Sequence, residues 1–240
     1  VVATANTRVG TRGAAWLRRN GKSRFTRGFF RFAESGVGQR QLTGHLRVSK
    51  STENTKAMNI TYPHTIENGG EKLVFHELIP EADGDRVIGE NFVSPGSGPP
   101  MHVHWLQDEG FTVVKGTIGY QVVGQAEQFA GPGESVVFPR GVPHRFWNAG
   151  TETLQCTAWI KPAHTIVFFL SAIFAAQKKS GTSRPELFDT AYLLTRYAGE
   201  YDMLEIPRFV KKGVLPVVYR LGMLLGKYRH FEGAPEPVKP

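Results

Sequence analysis

A single cysteine, Cys156, stands in 240 residues, which excludes an internal disulfide and a cysteine-rich zinc site. No apolar run approaches the ~20 residues that span a bilayer, and the longest, residues 165–176, reads as a buried helix. Common catalytic signatures are missing as well: there is no Walker A loop, G-x-G-x-x-G, G-x-S-x-G or H-E-x-x-H. Acidic residues are scarce at one end only. Residues 1–57 hold 12 Lys and Arg against 2 Asp and Glu, a net of +10, while residues 58–240 hold 17 against 19, a net of −2. The basic character belongs to the leader, not to the body, so it is weak evidence for nucleic-acid binding, and no nucleic-acid partner is expected.

The leader lacks sustained periodicity, is rich in Arg, Gly, Ser and Thr, and is expected to be disordered. Three readings stand open for it: an organellar transit peptide, a basic tail, or sequence upstream of the real start, since the composition changes at Met58. The expected location is cytoplasmic, with organellar import if the leader is a transit peptide.

What is present after residue 58 is turn chemistry, in a chain with 27 Gly and 15 Pro. Strands are expected at 72–78, 86–93, 101–104, 111–114, 118–123, 127–129, 135–138, 144–147 and 153–160. Many short strands at close spacing suggest a small barrel or sandwich. After Pro162 the spacing turns helical, with helices expected at 166–179, 185–199 and 214–228. The organisation read from the chain is a leader (1–57), a β-rich barrel or sandwich (58–162) and a helical C-terminal extension (163–240).

Eight histidines are present, and three stand out. His102 and His104 are two apart, which on a strand puts both imidazoles on one face. Glu109 follows a four-residue turn and enters the next strand, where antiparallel pairing can set its carboxylate beside them. His144 follows the corner 139–143. Three imidazoles and a carboxylate suit one divalent transition metal: Fe, Mn, Ni, Cu or Zn. Side chains of matching parity suggest a mostly apolar pocket wall of Phe111, Val113, Tyr120, Phe138, Phe146 and Trp159. No basic residue is aimed at the cluster, which argues against a phosphorylated substrate. Cys156, in an apolar strand, reads as a buried inert thiol.

The segment from Gly96 through Met101-His102-Val103-His104-Trp105-Leu106-Gln107-Asp108-Glu109 to Gly116 resembles the first cupin motif. Gly133-Glu134-Ser135-Val136-Val137-Phe138-Pro139-Arg140-Gly141-Val142-Pro143-His144-Arg145-Phe146-Trp147-Asn148 resembles the second. The resemblance covers residues 70–162. It implies a mainly β fold, a cupin (double-stranded β-helix, jelly-roll) barrel with a C-terminal α-helical extension. It also implies that His102, His104, Glu109 and His144 bind one metal inside that barrel, with Glu109 a candidate base. Similarity to quercetinase-like cupins favours a metal-dependent dioxygenase acting on a small apolar or aromatic compound. A metal-dependent isomerase, cyclase or lyase and a non-catalytic binding module remain open. The apolar C-terminal stretches are expected to pack on the barrel and in part in a homodimer, in preference to a membrane surface.

Overall fold

The computed structural model describes residues 60–239; the basic leader lies outside the described residues. Eleven strands are described: β1 (His64–Asn68), β2 (Glu71–Ile79), β3 (Arg86–Val93), β4 (His102–His104), β5 (Asp108–Lys115), β6 (Ile118–Val122), β7 (Gln128–Ala130), β8 (Ser135–Phe138), β9 (His144–Asn148), β10 (Leu154–Lys161) and β11 (Tyr201–Met203). They form two antiparallel sheets, ordered β1-β2-β3-β10-β5-β8 and β11-β4-β9-β6-β7. The sheets face each other as a jelly roll, and alternation decides what lies between them. Along β5, Glu109, Phe111 and Val113 point inward, opposite Ile160, Ala158 and Cys156 of β10. The hairpin from β5 to β6 turns on Gly116, whose φ of 87° lies in the left-handed region that favours glycine.

Three helices follow: α1 (Ile166–Ser180), α2 (Leu187–Arg196) and α3 (Leu215–Leu224), the last preceded by a wide helical turn at Val210–Val214. Two hydrophobic clusters result. Val93, Phe111, Val113, Ile118, Val136 and Leu154 fill one end of the barrel. At the other end Phe75, Val87 and Ile160 pack with Ile166, Phe169 and Tyr197 of the C-terminal region. Each fully buried aliphatic or aromatic side chain contributes roughly 1.5–3 kcal/mol, so this second cluster fastens the helices to the barrel. His64 Nε2 meets Ser171 Oγ at 2.8 Å and Asn68 donates to Gln177 at 3.1 Å, joining β1 to α1.

Several details depart from the sequence reading. β1 was not expected, because its five residues HTIEN carry a single apolar side chain, Ile66. β11 interrupts the helical extension and pairs with β4, so the C-terminal region supplies an edge to the barrel sheet. The helix expected at 185–199 is confined to Leu187–Arg196 and that at 214–228 to Leu215–Leu224. On that last segment Val217, Leu221, Leu224 and Leu225 are exposed in the single chain, whereas Leu215 is buried. Among the described residues, no helix is long and apolar enough to cross a membrane.

Candidate metal centre

His102 and His104 share one face of β4, and Cα pairing of His102 with His144 brings β9 alongside. Glu109 arrives differently from the expectation. The turn after His104 is a corner that carries the chain into the opposite sheet, so Glu109 faces the imidazoles across the barrel interior. The ligand atoms of His102, His104 and Glu109 lie within 4.8 Å of one another. His144 Nε2 is 3.0 Å from Glu109 Oε2, and the His144 ring is centred 4.5 Å from that of His102. All four side chains are buried.

Backbone carbonyls orient two of the rings. His102 Nδ1 lies 2.8 Å from the Pro100 carbonyl oxygen and His144 Nδ1 lies 2.8 Å from that of Val142. A carbonyl only accepts, so each Nδ1 carries the proton and each Nε2 keeps its lone pair. Phe138 stacks on His144 at 4.0 Å and fixes its plane. His144 Nε2 and Glu109 Oε2 are then two acceptors 3.0 Å apart, an arrangement that requires a proton or a cation between them. His104 Nδ1 is buried without a hydrogen-bond partner.

The electrostatics prepare the set for a cation. Burial, helped by the neighbouring imidazoles His104 and His144, lowers His102 to about 3, so it is neutral at ordinary pH. Burial lowers His104 too. Burial alone would raise Glu109, but His104, His144 and His102 together outweigh it and hold the carboxyl at about 2. A neutral His102 and His104 and an ionised Glu109 are in the protonation states that metal ligation needs.

Two braces hold the loops that carry these residues. Asp108, next to Glu109, accepts from the Arg140 backbone N–H at 2.8 Å and from its guanidinium at 3.1 and 2.6 Å. That ties the corner before His144 to the start of β5, and the Gly141 N–H donates to the His104 carbonyl at 2.7 Å. Glu200, fully buried, accepts from Gln107 at 3.1 Å, Thr165 at 2.9 Å and the Val238 N–H at 2.9 Å. It locks the corner between His104 and Glu109 to the C-terminal region. Sequence reasoning missed this network because its members are far apart in the chain, with Gln107 and Glu200 alone separated by 93 residues.

A cavity of about 320 Å³ opens onto His102, His104 and Glu109. Phe111 and Phe146 line it, as the sequence suggested. Trp159 borders it, but β10 alternation turns its ring to the outer face, over Gly110 and 5.2 Å from Arg86. Val113 and Phe138 lie in the barrel core and not on the cavity wall, and the Tyr120 hydroxyl donates outward to Gln128 at 3.1 Å. Parity along the motif strands could not reveal the remaining wall, which comes from Phe75, Val87, Ile166, Phe169 and Ile173. Among the described residues no Lys or Arg lines the cavity. Cys156 is buried and its thiol is pushed up to about 12 by burial, too high for a thiolate role.

The family described as Cupin domain matches residues 92–160. Over 125 residues the chain is 32% identical to Oxidoreductase iacF of Pestalotiopsis fici, covering 48% of this chain and 58% of that one. It is 34% identical over 95 residues to Probable oxidoreductase virH of Hypocrea virens, covering 36% and 43%. The chain thus spans about half the length of these relatives. A solved protein with a double-stranded beta-helix domain from Klebsiella pneumoniae is 21% identical, with a TM-score of 0.33 over 40% of this chain and 80% of that one. Two facing antiparallel sheets, a His-x-His strand meeting a glutamate and a third histidine, and the family match agree: residues 92–160 of this chain form a cupin domain, and a helical C-terminal extension follows it.

Proposed function

We propose that His102, His104, Glu109 and His144 hold one divalent transition metal and that the protein is a metal-dependent oxidoreductase of the dioxygenase type. The observation that carries the proposal is the convergence of the His102, His104 and Glu109 ligand atoms within 4.8 Å of one another, with His144 Nε2 3.0 Å from Glu109 Oε2. A metal bound there supplies Lewis-acid and redox chemistry. Glu109 serves as a ligand, its carboxyl held ionised by the imidazoles around it, and is also the candidate base. Phe111, Phe146 and Phe169 give the substrate an apolar seat beside the cluster and exclude water. The absence of Lys and Arg from the described wall disfavours phosphorylated substrates and supports a small apolar or aromatic one. The names of the two fungal relatives support the oxidoreductase class. A homodimer remains part of the proposal, with the exposed face of α3 as its contact.

Oxygen uptake by the metal-loaded protein, tested with phenolic and diketone compounds, decides the class. Uptake that disappears in His144→Ala is expected. Metal-loaded protein that takes up no oxygen with any of them would instead point to isomerase, lyase or binding functions.

A further inference from the structure

A second carboxyl faces the same cavity. Glu71 opens β2, and its register opposite Val93 places it on the inner face of the six-stranded sheet, the face that also carries Glu109. Both residues line the cavity. Glu71 Oε1 accepts from Asn91 Nδ2 at 2.9 Å, and Asn91 is only 2% exposed, so the carboxyl is held from a fixed point on the wall. Among the described residues, Glu71 Oε2 has no hydrogen-bond partner and no Lys, Arg or His within ion-pair distance. Elsewhere Glu81, Glu127 and Glu152 each meet a Lys or Arg. Glu71 is half-buried, and a carboxyl that faces an apolar cavity without a countercharge gains when a ligand supplies a donor.

We infer that Glu71 is the polar anchor of the cavity, accepting a hydrogen bond from a hydroxyl or amino group of an otherwise apolar ligand whose other end reaches the histidine cluster. Asn91 is its positioning residue. The inference rests on the proposed small apolar substrate and narrows it to compounds that carry a donor away from the reacting end. Burial raises Glu71 to about 7, and the Glu109 charge adds to the shift. A ligand that is itself a carboxylate or phosphate is disfavoured at this end.

The test uses two probes of nearly equal shape, 2-naphthol and 2-methylnaphthalene, titrated by fluorescence into the full-length protein, with metal content measured on each sample. Wild type is expected to prefer 2-naphthol about tenfold. Glu71→Leu should bind both alike, with 2-methylnaphthalene affinity retained. The preference should persist in His102→Ala/His144→Ala. Preference that survives Glu71→Leu, is absent from wild type, or vanishes only in the double histidine variant overturns the inference; the last result places the hydroxyl on the metal. If Glu71→Leu does not fold, Glu71→Gln decides: a drop of about threefold supports the anchor and an unchanged preference overturns it. Preference that depends on Glu71 in wild type that holds no metal would uphold the anchor and sink the metal reading.

Discussion

Glu109 and Glu71 line one cavity from one sheet face, yet their surroundings drive them in opposite directions. Glu109 stands among three imidazoles that outweigh its burial and hold it at about 2. Glu71 has an amide for a neighbour, and burial lifts it to about 7. The difference teaches that burial alone does not set a carboxyl's charge: partners do, and in this cavity they separate a ligand-like end from an end that exchanges a hydrogen bond.

Metal removal tests the Glu109 end with the largest effect. Chelation should lower stability by about 4 kcal/mol when free metal had stood a thousandfold above its dissociation constant. Thermal melts of loaded and stripped protein measure this, and equal melting temperatures would break the contrast. Glu200→Ala comes next. It leaves Gln107, Thr165 and the Val238 N–H without their acceptor and should cost about 2–4 kcal/mol by denaturant titration. A loss below 1 kcal/mol would show that the corner before Glu109 needs no brace.

pH separates the two carboxyls. The Glu109 carboxyl, depressed from 4.5 to about 2, contributes stability above 4.5 that is lost as pH falls toward 2. His102, lowered from 6.5 to about 3, also resists protonation in the fold, so stability of metal-free protein declines as pH falls from 6.5 toward 3. Glu71 has the reverse sign. Its folded form favours the proton, so the favourable term is complete below 4.5 and is lost as pH rises through about 7. Glu71→Gln should therefore stabilise the protein by roughly 1–3 kcal/mol at pH 8 relative to pH 4. Melts that show no pH-dependent difference would contradict the raised carboxyl. The smallest effect belongs to Asp108→Asn. This half-exposed ion pair with Arg140 should be worth about 0.5–1 kcal/mol and somewhat less at high salt.

The sequence made one end of the cavity legible and left the other hidden. His102, His104, Glu109 and His144 were visible because two-residue spacing and two long motifs fix them locally. The turns and short strands left a barrel or a sandwich open, and the resemblance of the two motifs to the cupin family implied the barrel. That Glu109 faces the histidines from the opposite sheet was not visible, since a four-residue turn reads alike whether it closes a hairpin or turns a corner between sheets. Phe169 and Ile173 were seen only as an apolar helix, because which face meets the barrel depends on contacts with β1, a strand with one apolar residue. Glu71 stands just before the strand expected at 72–78, and nothing in its spacing marks it. Only the Val93 register shows that it points inward.

The most direct measurement is the metal content of protein purified as the full chain, wild type beside His144→Ala. The four-ligand account predicts close to one equivalent of a divalent transition metal in wild type and a loss of at least about tenfold in retention for the variant. Equal metal content in the two, or none in wild type after incubation with Fe(II), Mn, Ni, Cu or Zn, would contradict it.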